Sequence, residues 1–341
     1  MSYIGGMPDE PIVQPSPDTT ASLAERILAG DRRALARGIT LAESSRSDHR
    51  LTAEALIERI LPHTGGSIRL GISGVPGVGK STFIESFGLT LIGSGRRLAV
   101  LAVDPSSKRG GGSILGDKTR MTDLARSPAA FIRPSPAGTT LGGVARRTRD
   151  AILLCEAAGF DTIIVETVGV GQSETAVADL VDLFCLLLLP SAGDELQGIK
   201  KGIVELADLI LVNKADGEMR AAAQHTVADY RSALRLIRPS SPHWQPPVLA
   251  VSAITGEGLT AAWAEIERHR TTLEATGDHQ ARRRAQALAA FWADLGDGLR
   301  EAVRRHARIA PDLAAIEAEI GAGRTSPTVA ARRVLDRFLK G

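Results

Sequence analysis

The sequence predicts an α/β protein: a doubly wound, mainly parallel sheet with a helical extension before it and a helical arm after it. Three observations carry this reading. Short apolar runs alternate with helix-patterned stretches through the middle of the chain, and a glycine-rich loop joins the first run to a helix. A final segment rich in Ala, Arg, Leu and Glu has no strand-like run at all.

Residues 1–20, MSYIGGMPDEPIVQPSPDTT, are polar and carry neither an apolar signal core nor an Arg-rich amphipathic pattern; they read as a disordered leader. Residues 21–65 form a helical region, because ASLAERILAGDRRALARGITLAE and LTAEALIERI place apolar residues three and four apart. Beyond Gly65-Gly66 the period changes. SIRLGIS, RLAVLAV, DTIIVET, DLFCLLLL, ADLILVN and PPVLAVS read as buried parallel strands, giving one domain over residues 66–272 with right-handed crossovers. Residues 273–341 form the arm, where Leu288, Trp292, Leu295, Leu299, Ala302, His306 and Ile309 recur in steps of four and three. Such a stripe either packs on its own domain or meets a second subunit, and a homodimer is the sharper expectation. The run Arg282-Arg283-Arg284 in the same tail reads as a solvated face.

Composition excludes some functions. A net charge of +2 over 341 residues gives no field suited to nucleic acid. The most apolar run, VDLFCLLLLP, is too short to span a bilayer and contains Asp182, so no membrane role is expected. Cys155 and Cys185 lie in apolar stretches and read as buried, reduced thiols of a cytoplasmic protein.

The stretch GVPGVGKST, Gly74-Val75-Pro76-Gly77-Val78-Gly79-Lys80-Ser81-Thr82, follows a strand and opens a helix. In that setting the glycines let successive N–H groups face phosphates. Lys80 supplies a charge to the β- and γ-phosphates, and the Ser81 hydroxyl is a Mg²⁺ ligand. Asn213-Lys214-Ala215-Asp216 ends a later strand, and Ser252-Ala253 follows the last one. A carboxylate at Asp216 accepts from the ring N–H and amino group of guanine, a donor pair that adenine lacks, so the expected ligand is GTP or GDP.

These strings occur in order with VLAVDPSS, GGSILGDKTRM, FIRPSP, VETVGVGQSE and GDELQGIKKGI, and over residues 20 to 340 the chain resembles the MeaB/MMAA family of cobalamin-linked GTPases. The resemblance implies a P-loop GTPase fold with functional dimers. It also implies a chaperone of adenosylcobalamin-dependent methylmalonyl-CoA mutase, in which GTP hydrolysis gates cofactor delivery and protects or rescues the enzyme. Asp104, Asp117 and Glu166 become the acids of the magnesium environment, although Asp117 also suits a helix N-cap. Gly169 becomes the switch glycine at the γ-phosphate, its loss of contact freeing a loop that holds Val170, Gly171, Gln172 and Glu174. Val170 stands where a water-orienting Gln would be, which implies slow hydrolysis helped by a partner or a further loop. The segment at 189–202, with Asp194, Glu195, Lys200 and Lys201, is either an ordinary polar loop or a third switch facing the mutase, with Lys200 its catalytic candidate.

Other classes compete. A transport-system kinase needs a catalytic base and a hydroxyl site, yet no H-R-D string occurs and NKAD favours GTP. A nickel-inserting GTPase commonly has His-rich tracts, whereas the seven His here are scattered. Another B₁₂-dependent acyl-CoA mutase is an alternative client. No D-x-H-x-x-G string occurs, so no stable cobalamin binding is expected.

Overall fold

The computed structural model describes residues 17–103, 121–134, 141–167, 173–190, 201–236 and 241–340. Among the described residues three helices come first, α1 (Pro17–Leu28), α2 (Arg32–Glu43) and α3 (Ser47–Ile60). Asp31 starts α2, its carboxylate accepting from the backbone N–H groups of Arg33 and Ala34 at 2.8 and 3.1 Å. Two donors that a helix start leaves open are thereby satisfied. Ile27, Leu35, Ile39 and Leu56 turn inward and share one core with the sheet that follows.

Among the described residues that sheet has seven parallel strands: β1 (Ile68–Gly74), β2 (Leu98–Val103), β3 (Ala130–Arg133), β4 (Thr162–Thr167), β5 (Leu183–Leu188), β6 (Leu209–Val212) and β7 (Val248–Ala250). Their order is β3-β2-β4-β1-β5-β6-β7. Six match the predicted runs. The exception, β3, is a four-residue edge strand that Pro134 follows at once, too short for its pattern to register.

Helices cover both faces. α4 (Lys80–Gly93), α5 (Thr122–Arg126), α6 (Leu141–Ala157), α7 (Ser173–Ala178), α8 (Lys201–Leu206), α9 (Arg220–Leu234) and α10 (Leu259–Thr276) are the described helices between the strands and after them. Strand alternation decides which side each residue serves. Leu183, Cys185 and Leu187 join a core with Phe83 and Phe87 of α4 and Ile266 of α10. Phe184, Leu186 and Leu188 join the opposite core, with Ile152 of α6, Val177 of α7 and Val227 of α9. Both thiols are buried and unpaired, as expected, and burial pushes each thiol up.

The chain divides into two compact units, 1–283 and 284–341. The helix α11 (Asp278–Arg305) begins in the first. Its second turn corrects the expectation of a solvated run at Arg282 and Arg283. Arg283 donates to both carboxylate oxygens of Asp182 and to the Ser67 carbonyl, while Arg282 pairs with Asp208 at 3.0 Å. Asp182 and Asp208 stand just before β5 and β6, and each also accepts from a strand backbone N–H, of Arg69 and Phe184 respectively. Nearby, Glu156 accepts two hydrogen bonds from the Arg69 guanidinium and one from the Ser67 hydroxyl. Burial alone raises a carboxylate, yet Arg283 and His279 hold Asp182 well below its usual range, and Arg69 does the same for Glu156.

In the second unit, α12 (Ala310–Gly321) and α13 (Pro327–Leu339) pack together around Ile309, Ile316 and Ala330. Ion pairs Arg337–Asp312 and Arg333–Glu319 join them. Along α11, Leu288, Trp292, Leu295 and Leu299 of the expected stripe are exposed, between 40% and 66%, and Phe291, outside it, is exposed too. The predicted stripe is therefore left uncovered at these positions, and only Ile309 at its end is buried.

Candidate functional site

The site is built at the carboxyl ends of β1, β4, β6 and β7. The loop 74–79 leaves β1 and enters α4. Glycine is required at its base, since a Cβ on Gly74 would lie 2.6 Å from the Leu187 carbonyl oxygen. Gly77 and Gly79 have φ of +81° and +88°, left-handed values that favour glycine. Val78 is buried and pins the loop to the core below, whereas Pro76 and Gly77 are exposed and Val75 half-buried. Ser81 and Thr82 occupy the first turn of α4, the end of the helix whose dipole and free N–H groups favour an anion.

Asn213 holds the loop in place. Its amide N–H donates to the Val78 carbonyl at 2.8 Å, and its amide oxygen accepts from the backbone N–H of Ala253 at 3.1 Å. One buried side chain thus joins the phosphate loop, the end of β6 and the loop after β7. Lys214 reinforces it, with Nζ donating to the Gly77 carbonyl at 2.9 Å. Its own φ is +60°, an uncommon value for a non-glycine residue, and it brings the lysine over the loop. Asp216 follows, half-buried, at the start of the 3₁₀ turn Gly217–Met219. Ser252 and Ala253 are buried beside it, the Ser252 oxygen accepting from the Thr255 N–H and the Ala253 carbonyl accepting from the Ser86 hydroxyl.

Lys80 is partly covered rather than freely exposed. Its Nζ donates to the Gly74 carbonyl at 2.8 Å. Burial lowers its pKa, opposed by the charges of Glu166 and Glu174. Glu166 is 4% exposed on β4 and sits opposite Ile72 of β1. Ser73 and Thr167, both buried, join their hydroxyls at 2.9 Å beneath the loop.

The predicted residues at 74–82, 166, 213–216 and 252–253 therefore share one sheet edge. Asp104, Asp117, Gly169, Val170, Gly171, Gln172, Asp194, Glu195 and Lys200 lie outside the described residues. Glu174 differs from expectation: it belongs to α7, not to a loop, and is 1% exposed. Helical spacing offered a signal, because Glu174 precedes the apolar Val177 and Ala178 by three and four residues. Among the described residues no group of three or more His, Cys, Asp or Glu could hold a metal; of the residues expected around one, Ser81 and Glu166 are described, and both offer oxygen. Hard oxygen donors of this kind suit Mg²⁺.

A phosphate loop, a locked NKAD segment and a following Ser-Ala, all at one edge of a parallel sheet, define a P-loop GTPase. The chain belongs to the MeaB family, since the family described as methylmalonyl Co-A mutase-associated GTPase MeaB matches residues 35–308. A protein of Caulobacter vibrioides designated a GTPase is 55% identical over 317 residues, 93% of this chain and 97% of that one. The mouse protein named methylmalonic aciduria type A homolog, mitochondrial, is 46% identical, over 92% of this chain and 78% of its own. A crystal structure described as a LAO/AO transport system kinase superposes with a TM-score of 0.75 at 37% identity, over 96% of this chain and 99% of that one. As a family member the chain is a GTP-hydrolysing enzyme.

Proposed function

We propose that this GTPase gates adenosylcobalamin delivery to methylmalonyl-CoA mutase in the cytoplasm and protects or reactivates that enzyme. The observation that carries the nucleotide chemistry is Asn213, which fixes the base-recognition and phosphate-binding loops as one body. Guanine would meet Asp216 and the Ala253 loop. The phosphates would meet the loop 74–82, drawing Lys80 from the Gly74 carbonyl. Ser81 and Glu166 would hold Mg²⁺ directly or through water, with Asp104 and Asp117 as further acids. When bound, the metal supplies charge neutralisation at the phosphate oxygens. Gly169 would contact the γ-phosphate, and Lys200 would complete the site when the mutase binds.

The family supports the client, and the exposed stripe on α11 supports a homodimer. Cobalamin stays with the mutase and is not held stably here. The test is GTP turnover by wild type and Lys200→Ala, each with and without purified methylmalonyl-CoA mutase. Wild type should be stimulated and the variant should lose most of that gain at similar basal rate. No stimulation of wild type by the mutase would exclude it as the client.

A further inference from the structure

Glu174 is a buried acid on the helix that directly follows the switch sequence, and neither nucleotide nor metal binding requires it. Its position follows from the packing of α7. A Cβ on Gly71 of β1 would meet Val177 of α7 at 3.0 Å, so Val177 faces that strand. Glu174 is three residues earlier and shares the face, one turn nearer the start of the helix. α7 connects β4 to β5, which run parallel, so it returns antiparallel to them and begins at their carboxyl edge. Two residues beyond Gly71 on the same face of β1 is Ser73, bonded to Thr167. Glu174 is thereby placed at the level of that hydroxyl pair, directly beneath the phosphate loop.

The two acids belong to opposite faces of the sheet. Glu166 shares the strand face of Ile164, whose core includes α4, whereas Glu174 comes from the opposite face with Val177. Both charges act on Lys80, opposing the effect of its burial. A carboxylate taken almost wholly out of water is costly unless charge and hydrogen bonds offset the loss, and Lys80 brings a cation to the Gly74 carbonyl, one residue beyond Ser73.

We propose that Glu174 is a positioning residue for Lys80 and ties the first turn of α7 to the phosphate loop. Drawing Lys80 onto the β- and γ-phosphates then changes the charge that Glu174 faces, so nucleotide occupancy is felt at the start of α7. This rests on the assignment of Lys80 to the phosphates of GTP.

The experiment measures kcat and KM for GTP, together with the thermal midpoint, for wild type, Glu174→Gln and Glu174→Asp. Gln keeps the size and removes the charge. It should lower kcat by about tenfold or more, with KM within about twofold and an almost unchanged midpoint; Asp should restore part of the rate. Should the Gln variant fail to fold, Asp carries the test, with a several-fold lower kcat at unchanged KM. Wild-type kcat in a folded Gln variant, or in the Asp variant when Gln does not fold, would overturn the proposal. Absence of GTP turnover in the wild type would instead overturn the nucleotide assignment on which it rests.

Discussion

Arg283 grips Asp182 with a two-pronged hydrogen bond, 2.7 Å on each side, across 101 residues of sequence. The carboxylate it holds also accepts from the Arg69 backbone N–H, so a single acid ties β1 to the second turn of α11 and stands at the head of β5. With Asp182 and Arg283 only 7% and 16% exposed at their side chains, the pair is nearly dry.

Breaking that pair should be severe. Arg283→Ala leaves Asp182 buried with its main counter-charge gone, a change that costs about 3–5 kcal/mol for comparable pairs. Urea unfolding monitored by circular dichroism should show a lower midpoint at unchanged slope. A charge-preserving Arg283→Lys should recover only part of the loss, because an ammonium cannot make the same fork.

Acid should weaken the fold in two stages. Burial lowers the His269 pKa from 6.5 to about 4, and its ring stacks edge-on against Trp244 at 4.8 Å. A histidine depressed in the folded state leaves the unfolded chain with more bound protons between those values. Stability therefore rises with pH across that window and falls by up to roughly 3 kcal/mol on acidification through it. Asp182 and Glu156, both depressed, contribute stability above the ordinary carboxylate range that is lost as pH falls below it. Melting curves from pH 7 to pH 4 should show the decline, and His269→Phe should flatten its upper part.

Base choice should change at Asp216. Asp216→Asn should weaken GTP binding by about tenfold or more and raise tolerance of xanthine nucleotide, whose 2-oxo group suits an amide donor. Titration with both nucleotides checks it, and an unaltered GTP affinity would remove Asp216 from the site.

Loop locking predicts a different signature for Asn213. Asn213→Ala removes both the donor to Val78 and the acceptor for Ala253, leaving two buried backbone groups to find new partners. A loss of about 1–3 kcal/mol per stranded group would appear in stability as well as in nucleotide affinity. Lys80→Ala should separate the two, abolishing turnover while the melting transition stays close to wild type.

Association should depend on the exposed stripe. Leu295→Asp with Leu299→Asp adds charge where both side chains are already exposed, so folding should survive. Light scattering should report a monomer, and a dimer of unchanged mass would leave the stripe without a partner of its own kind.

Six strands and the phosphate loop were legible because each rests on a local pattern: apolar runs for the strands, glycines of left-handed φ at 77 and 79 for the loop. Asp216 and Ser252-Ala253 were legible through their place after a strand. Arg282 and Arg283 were not, since three arginines in a helix look the same whether water or buried acids receive them. Only the fold brings Asp182 and Asp208 to that turn. Glu174 escaped for a related reason: its burial depends on α7 lying across Gly71, a contact between elements more than a hundred residues apart.

The contacts made by Arg282 and Arg283 also bear on the order in which the protein is completed during synthesis. Asp182 and Asp208 lie 101 and 74 residues before the arginines that neutralise them. A ribosome therefore makes every described strand before either counter-ion exists. Until residue 283 clears the exit tunnel, the nascent sheet holds two acids at its lower edge that have every reason to stay in water. The last turn made for the first unit is thus the one that lets β5 and β6 settle, and a chain released at Gly277 would carry all seven strands without the ions that seal them.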